Sequence, residues 1–184
     1  MSKILGIVFV LLLIIAASIF GARFYLEGRI SAMQKLHVSQ RIEAGKPMLV
    51  STSNGDLVEV TSIEPASPAT LKAGESVKLK YRYVIKSAGQ VSTFAFPKGN
   101  GERLYSGMPG HEDGGMVTPI GSDTGEWTFI FSEGHLDEIE VFMLNVEFPA
   151  RAYALHFRDR MKVDDDMRLL TMIIPASYTW VAKP

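Results

Sequence analysis

The chain contains no cysteine, which excludes disulfide scaffolds, thiolate zinc sites, iron–sulfur clusters and cysteine nucleophiles. It also lacks a surplus of either charge: 19 basic and 20 acidic side chains leave a formal net charge of −1. Nucleic-acid binders carry a basic excess, so that partner class is set aside. Internal repeats and low-complexity tracts are absent, and a hydrophobic content of 47% is too high for a disordered chain. A length of 184 residues has room for one domain with an appendage, not for two full cores. The missing cysteines leave the redox compartment open, because a domain with an adequate core needs no bridges.

What is present, first, is a long apolar run. Ile4 to Ala22 are nineteen positions without a charge. At a rise of ~1.5 Å per residue they cover about 28 Å as a helix, close to the hydrocarbon thickness of a bilayer. A helix is the one single-segment structure that satisfies every backbone group in lipid. The run therefore predicts a transmembrane anchor over residues 1–23, with residues 4–22 as its bilayer partner. The competing reading is a cleaved signal, with Lys3 as its basic start and Ala16-Ala17-Ser18 as its cleavage site. Ile19 and Phe20 carry the apolar run beyond that site, which favours an uncleaved anchor. Lys3 on one flank and Arg23, Arg29 and Lys35 on the other give a charge count that slightly favours a cytoplasmic body. Long domains translocate largely regardless of such counts, and a short basic tail before an apolar run is the signal-anchor arrangement. The expected location of the C-terminal part is thus extracytoplasmic, in a periplasm or at a cell surface. Within the span, Ala17 and Gly21 are four residues apart, as are Ser18 and Ala22, a spacing that lets two helices approach closely.

Residues 24–46 turn polar but keep Leu26, Ile30 and Met33 at helical spacing, followed by Leu36 or His37. They predict a helical connector that Gly45-Lys46-Pro47 ends. Residues 47–184 instead alternate apolar and polar positions in short runs. Val77, Leu79, Tyr81 and Tyr83 alternate with Lys78, Lys80 and Arg82; Trp127, Phe129 and Phe131 share a face; so do Ile139, Val141 and Met143. Further strands are expected at Met48–Thr52, Leu57–Ile63, Val91–Phe96, Leu169–Ile174 and Tyr178–Val181. Eight short strands with turn residues between them predict a mainly β fold, an antiparallel β-sandwich.

Pro68-Ala69-Thr70-Leu71-Lys72-Ala73-Gly74-Glu75-Ser76 leads into the Val77–Tyr83 strand, and Gly125-Glu126-Trp127-Thr128-Phe129 precedes Ile139-Glu140-Val141-Phe142. These segments resemble the first crossover and later strands of bacterial immunoglobulin-like and fibronectin-like modules, over residues 56–147. The resemblance implies an immunoglobulin-like sandwich without inter-sheet cysteines, and it implies shape, not activity. After Pro149, Ala150, Ala154, Phe157 and Met161 fall at helical spacing, while Tyr153, Leu155 and Phe157 also alternate as a strand would; a short helix is favoured over residues 150–162.

Charge is unevenly spread, for residues 102–147 hold ten acids against Arg103 alone. A basic strand beside acidic ones can complement itself across a sheet's outer face or dock a charged partner, but ordinary solvated faces are the plainer reading.

Few strings carry chemistry. Asp123-Thr124-Gly125 is the triplet of aspartic proteases, but the apolar lead-in is replaced by Gly121-Ser122 and no second copy exists, so two chains would have to supply the carboxylate pair. A turn into the Trp127 strand is the plainer reading. His111-Glu112-Asp113 lies in a glycine-rich stretch, and three consecutive side chains cannot converge on one ion; His135 and His156 are partners only if folding brings them close. Asp164-Asp165-Asp166 lacks the spacing of a calcium loop. No catalytic residue, metal ligand or cofactor is therefore expected. The long segment from Pro97 to Thr124, containing His111, Glu112 and Asp113, is the candidate recognition loop. The sequence favours a non-catalytic, membrane-anchored binding protein with an unidentified protein partner. The alternatives are an accessory subunit acting through its span and a hydrolase using Asp123.

Overall fold

The computed structural model describes residues 2–35, 37–87, 91–104, 116–118, 121–146 and 167–182. Helix α1 (Ser2–Gln34) is 33 residues long. Its stretch Ile7–Tyr25 has a mean hydropathy of 2.5 and none of it is buried against the rest of the protein. An all-round apolar helix has no polar face to turn to water and no need of a neighbour in lipid. The helix continues unbroken past Arg23, where Arg23 and Glu27 pair at 3.0 Å one turn apart. It ends at Gln34, and Val38 already begins a strand. The connector over residues 24–46 is thus helical only in its first half: Val38-Ser39-Gln40-Arg41 gains its hydrogen bonds from a neighbouring strand rather than from its own turns.

The strands are β1 (Val38–Arg41), β2 (Leu49–Ser51), β3 (Leu57–Glu64), β4 (Ala69–Lys72), β5 (Ser76–Ile85), β6 (Val91–Gly99), β7 (Glu102–Arg103), β8 (Met116–Thr118), β9 (Gly121–Ile130), β10 (Gly134–Asn145) and β11 (Arg168–Val181). One sheet has the order β2-β3-β5-β9; the other runs β1-β11-β10-β6-β7, with β4 also on β11 and β8 on β6. The fold is therefore mainly β, with two sheets and one N-terminal apolar helix. It is not purely antiparallel: β1 and β4 both pair parallel to β11, at Val38–Arg41 and Ala69–Lys72. Within the Pro97–Thr124 segment, residues 97–99, 102–103, 116–118 and 121–124 belong to β6, β7, β8 and β9. Its middle, including His111, Glu112 and Asp113, lies outside the described residues, as do residues 150–162.

Both sheets feed one apolar core. Val77, Leu79, Tyr81 and Phe129 from one sheet, and Ile139, Val141, Met143 and Leu170 from the other, are all at most 1% exposed. The alternation of β5 produces this directly: every second side chain points into the core, and Lys78, Lys80 and Arg82 point out. Tyr81 bridges the sheets, its hydroxyl 3.4 Å from Thr93 Oγ1 on β6. Leu169–Ile174 and Tyr178–Val181 are one strand that runs through Pro175. β1 covers β11 only to Ile173 and β4 only from Tyr178, so on that side no ladder bond is lost at the proline. On the other side β10 has a register shift beside it, between Leu136 and Glu138.

Hydrogen bonds close the two ends of the body. Asp56, 1% exposed, accepts the backbone N–H groups of Lys86 at 2.7 Å and Ser87 at 2.9 Å, tying the β2–β3 turn to the end of β5. At the opposite end Trp180 Nε1 donates to the Glu75 carbonyl at 2.8 Å, and Gly74 N donates to the Phe131 carbonyl at 3.0 Å.

Candidate functional site

The densest polar cluster sits on the face of the β11-β10-β6 layer that points away from the shared core. Strand alternation sends Val141 and Met143 inward, so Glu140, Phe142 and Leu144 emerge on this face. They do not meet water freely: Phe142 is 2%, Leu144 5% and Glu140 6% exposed. Phe142 stacks between Phe94 and Phe96, with centroids 5.2 and 5.4 Å away, and Val146 and Met167 complete a second, smaller apolar cluster.

Glu140 stands among three cationic neighbours, with Glu138 close by. Arg168 Nη1 donates to its Oε1 at 2.8 Å, while Lys98 Nζ and Arg103 Nη2 lie 3.2 and 3.9 Å from its Oε2. Lys98 also reaches Glu138 at 3.8 Å, and Arg41 on β1 donates to Glu138 at 2.9 Å. The arginines serve the rings as well: Arg103 lies 4.2 Å from the Phe96 centroid and Arg168 4.2 Å from that of Phe142. Burial pushes the Glu140 carboxyl up, but the Arg168 bond and charge, with Lys98, outweigh it and hold the carboxyl below its ordinary range. Glu140 is thereby kept ionised and saturated with donors, which suits a structural pin and not a proton-transfer group. The chain of contacts goes on from Arg168 to Thr171 Oγ1 at 3.5 Å, and Thr171 Oγ1 is 3.1 Å from Nε2 of His37 at the foot of α1.

The face of the other sheet is a ladder of opposite charges. Lys78 pairs with Glu126 at 3.4 Å, Lys80 with Glu64 at 3.5 Å, and Arg82 with Glu59. The basic strand and its acidic neighbours complement each other across this exposed face.

The residues singled out from the sequence do not converge. Asp123 lies in β9 opposite Tyr83, exposed, its Oδ1 accepting the Thr124 N–H at 2.7 Å. It is a strand residue rather than a turn residue. His135 Nδ1 is 3.1 Å from Thr179 Oγ1, eight positions along β11 from the Thr171 that meets His37; at ~3.3 Å per residue the two histidines attach about 26 Å apart. His156 lies outside the described residues. Among the described residues, no group of three or more His, Asp or Glu could hold a metal ion. Ala17 and Gly21 are exposed on α1, and a Cβ added at Gly21 would meet nothing within 4 Å. Sequence reasoning missed the roles of Glu140, Arg168 and Asp56. For Glu140 the one available signal was an acid at an alternating position between Ile139 and Val141. No protein-family profile and no characterised protein matches this sequence.

Proposed function

We propose that this chain is a single-span membrane protein that holds an immunoglobulin-like β-sandwich outside the cytoplasm, where it binds another protein or an envelope component without catalysing a reaction. The observation that carries the reading is the apolar stretch Ile7–Tyr25, wholly unburied, at the head of a β body with its own closed core. A core helix would have been buried against that body. Strand order supports the immunoglobulin-like assignment. The neighbours β3-β5-β9 correspond to strands A, B and E, and β11-β10-β6 to strands G, F and C. The non-catalytic reading is supported by the state of the polar groups: Glu140 and Asp56 spend their oxygens on internal donors, and the described histidines rest on threonines.

A second reading, an accessory subunit that works through its span, is favoured by the open small-residue positions Ala17 and Gly21. One experiment separates the two. The full chain, with a reporter after Pro184, is purified from solubilised membranes beside a version whose Ile4–Ala22 is replaced by an unrelated span. A partner retained by both, with the reporter active only outside the cytoplasm, supports the binding body. A partner lost on exchange supports the accessory subunit, and a reporter active only in the cytoplasm overturns the placement.

A further inference from the structure

We propose that the end of the body carrying the Ser53–Gly55 turn and Lys86–Ser87 faces the lipid headgroup layer at short range, and that the opposite end points into the compartment. The inference rests on the reading of α1 as a spanning helix. Its first support is the length of the tether. Only three residues separate Gln34 from Val38, and even fully extended they bridge at most about 14 Å. Lys35 N donates to the Ser31 carbonyl at 3.4 Å and His37 N to the Gln34 carbonyl at 3.3 Å, while His37 is fastened to Thr171.

The second support is register. Val38 pairs with Leu170, so the tether enters the body at the start of β11. Asn145 N donates to the Met167 carbonyl there, and Asn145 pairs with Val91 at the start of β6. Five residues back from Val91 is Lys86, and Asp56 binds Lys86 and Ser87 to the β2–β3 turn. All these points share one end. The turns through Gly74, Gly101 and Ser132 lie at the other, about 46 Å away if the 14 residues of β11 rise ~3.3 Å each.

The third support is stand-off. Nine helical residues follow Tyr25, about 14 Å of helix, against a headgroup layer roughly 5–8 Å deep. The tethered end is therefore within about a Debye length of the membrane surface. Charge runs the same way: the far turns and their flanking residues expose Glu75, Glu102 and Glu133 against Lys72, whereas the exposed charges of the described near turns are Lys35 and Lys86. Among the described residues, the nearest exposed carboxylate is Asp123, two residues into β9. Residues 147–166, which depart and return at this end, hold five acids and four bases, a net charge of only −1.

The absence of native cysteine makes the test direct. Asn54→Cys and Ser132→Cys, both at exposed positions, each carry a single fluorophore in the full chain reconstituted into phosphatidylcholine vesicles doped with a headgroup-spin-labelled lipid. The expected result is quenching several-fold stronger at position 54 than at 132. Equal quenching, or stronger quenching at 132, overturns the orientation. A third label at Phe9→Cys, read with an acyl-chain spin label, separates the two failures. If it stays quenched while position 54 does not respond, the orientation alone is wrong; if it is not quenched, the spanning reading falls and takes the orientation with it.

Discussion

Tyr81 on β5 and Trp127 on β9 lie face to face, their ring centroids 3.6 Å apart and their planes 10° from parallel. The residue directly opposite Tyr81 is Gly125, and a Cβ built there would enter the tyrosine ring. The glycine is what lets the ring lean across the strand pair onto the indole, covering bare backbone with aromatic surface. Gly125→Ala is expected to cost about 1–3 kcal/mol, the usual range for overpacking a filled core. In a Tyr81→Ala background the added methyl meets no ring, so the cost of Gly125→Ala should fall by more than about 0.5 kcal/mol. Urea titration in detergent, followed by tryptophan fluorescence, checks this, since both tryptophans, Trp127 and Trp180, belong to the body.

Removing Glu140 leaves Arg168, which is 8% exposed, without its carboxylate. Glu140→Ala should destabilise the body by about 3–5 kcal/mol, as for a broken buried pair. Glu126→Ala, on the exposed ladder opposite Lys78, should cost less than about 1 kcal/mol. Similar costs for the two in the same titration would refute the distinction between pin and ladder.

Acid should act through the same residue. Because the Glu140 carboxyl is held below its ordinary range, its stabilisation is present above the ordinary carboxylate pKa and is lost as pH falls through the lowered one. Stability against pH should show this acid limb in the natural chain and a shallower one in Glu140→Gln.

Alkali should act through buried tyrosine. Burial pushes the Tyr178 hydroxyl up to about 12, where it donates to the Pro65 carbonyl at 2.7 Å, and raises Tyr81 and Tyr83 as well. A raised phenol contributes stability that is complete below its ordinary pKa of 10.0 and lost as pH rises through about 12. Unfolding should therefore coincide with late phenolate absorbance, and Tyr178→Phe should move the alkaline limit upward.

Asp123→Ala should change stability by no more than about 0.5 kcal/mol, because its carboxylate is exposed and bonded to the next residue's own N–H. A peptidase screen should find nothing that Asp123→Ala abolishes; such an activity would reinstate the hydrolase.

What could be read in advance followed from periodicity. β5 alternates cleanly because only one of its faces is buried, and β3 and β9 were legible for the same reason, whereas β6 and β10, which also cover the smaller apolar cluster on their second face, were legible as short apolar-rich runs. β1 was not, because Val38-Ser39-Gln40-Arg41 has one apolar residue and is a strand only through its bonds to β11. β4 read as a crossover since its pairing with Tyr178–Val181 spans more than a hundred residues. Pro175 suggested a break, and only the gap between β1 and β4 explains why β11 tolerates it. The Glu140 cluster was hidden for a related reason: Lys98, Arg103, Glu140 and Arg168 become neighbours by lateral pairing of β6, β7, β10 and β11, which no local pattern encodes.

Sedimentation after an alkaline carbonate wash bears most directly on whether Ile7–Tyr25 is lodged in lipid. Vesicles bearing the full chain are stripped at high pH and centrifuged, and the chain is probed at both termini. The intact polypeptide should stay with the membrane pellet, N-terminus included. Its appearance in the supernatant, whole or shortened at Ala17-Ser18, would contradict the anchored protein argued from the unburied helix.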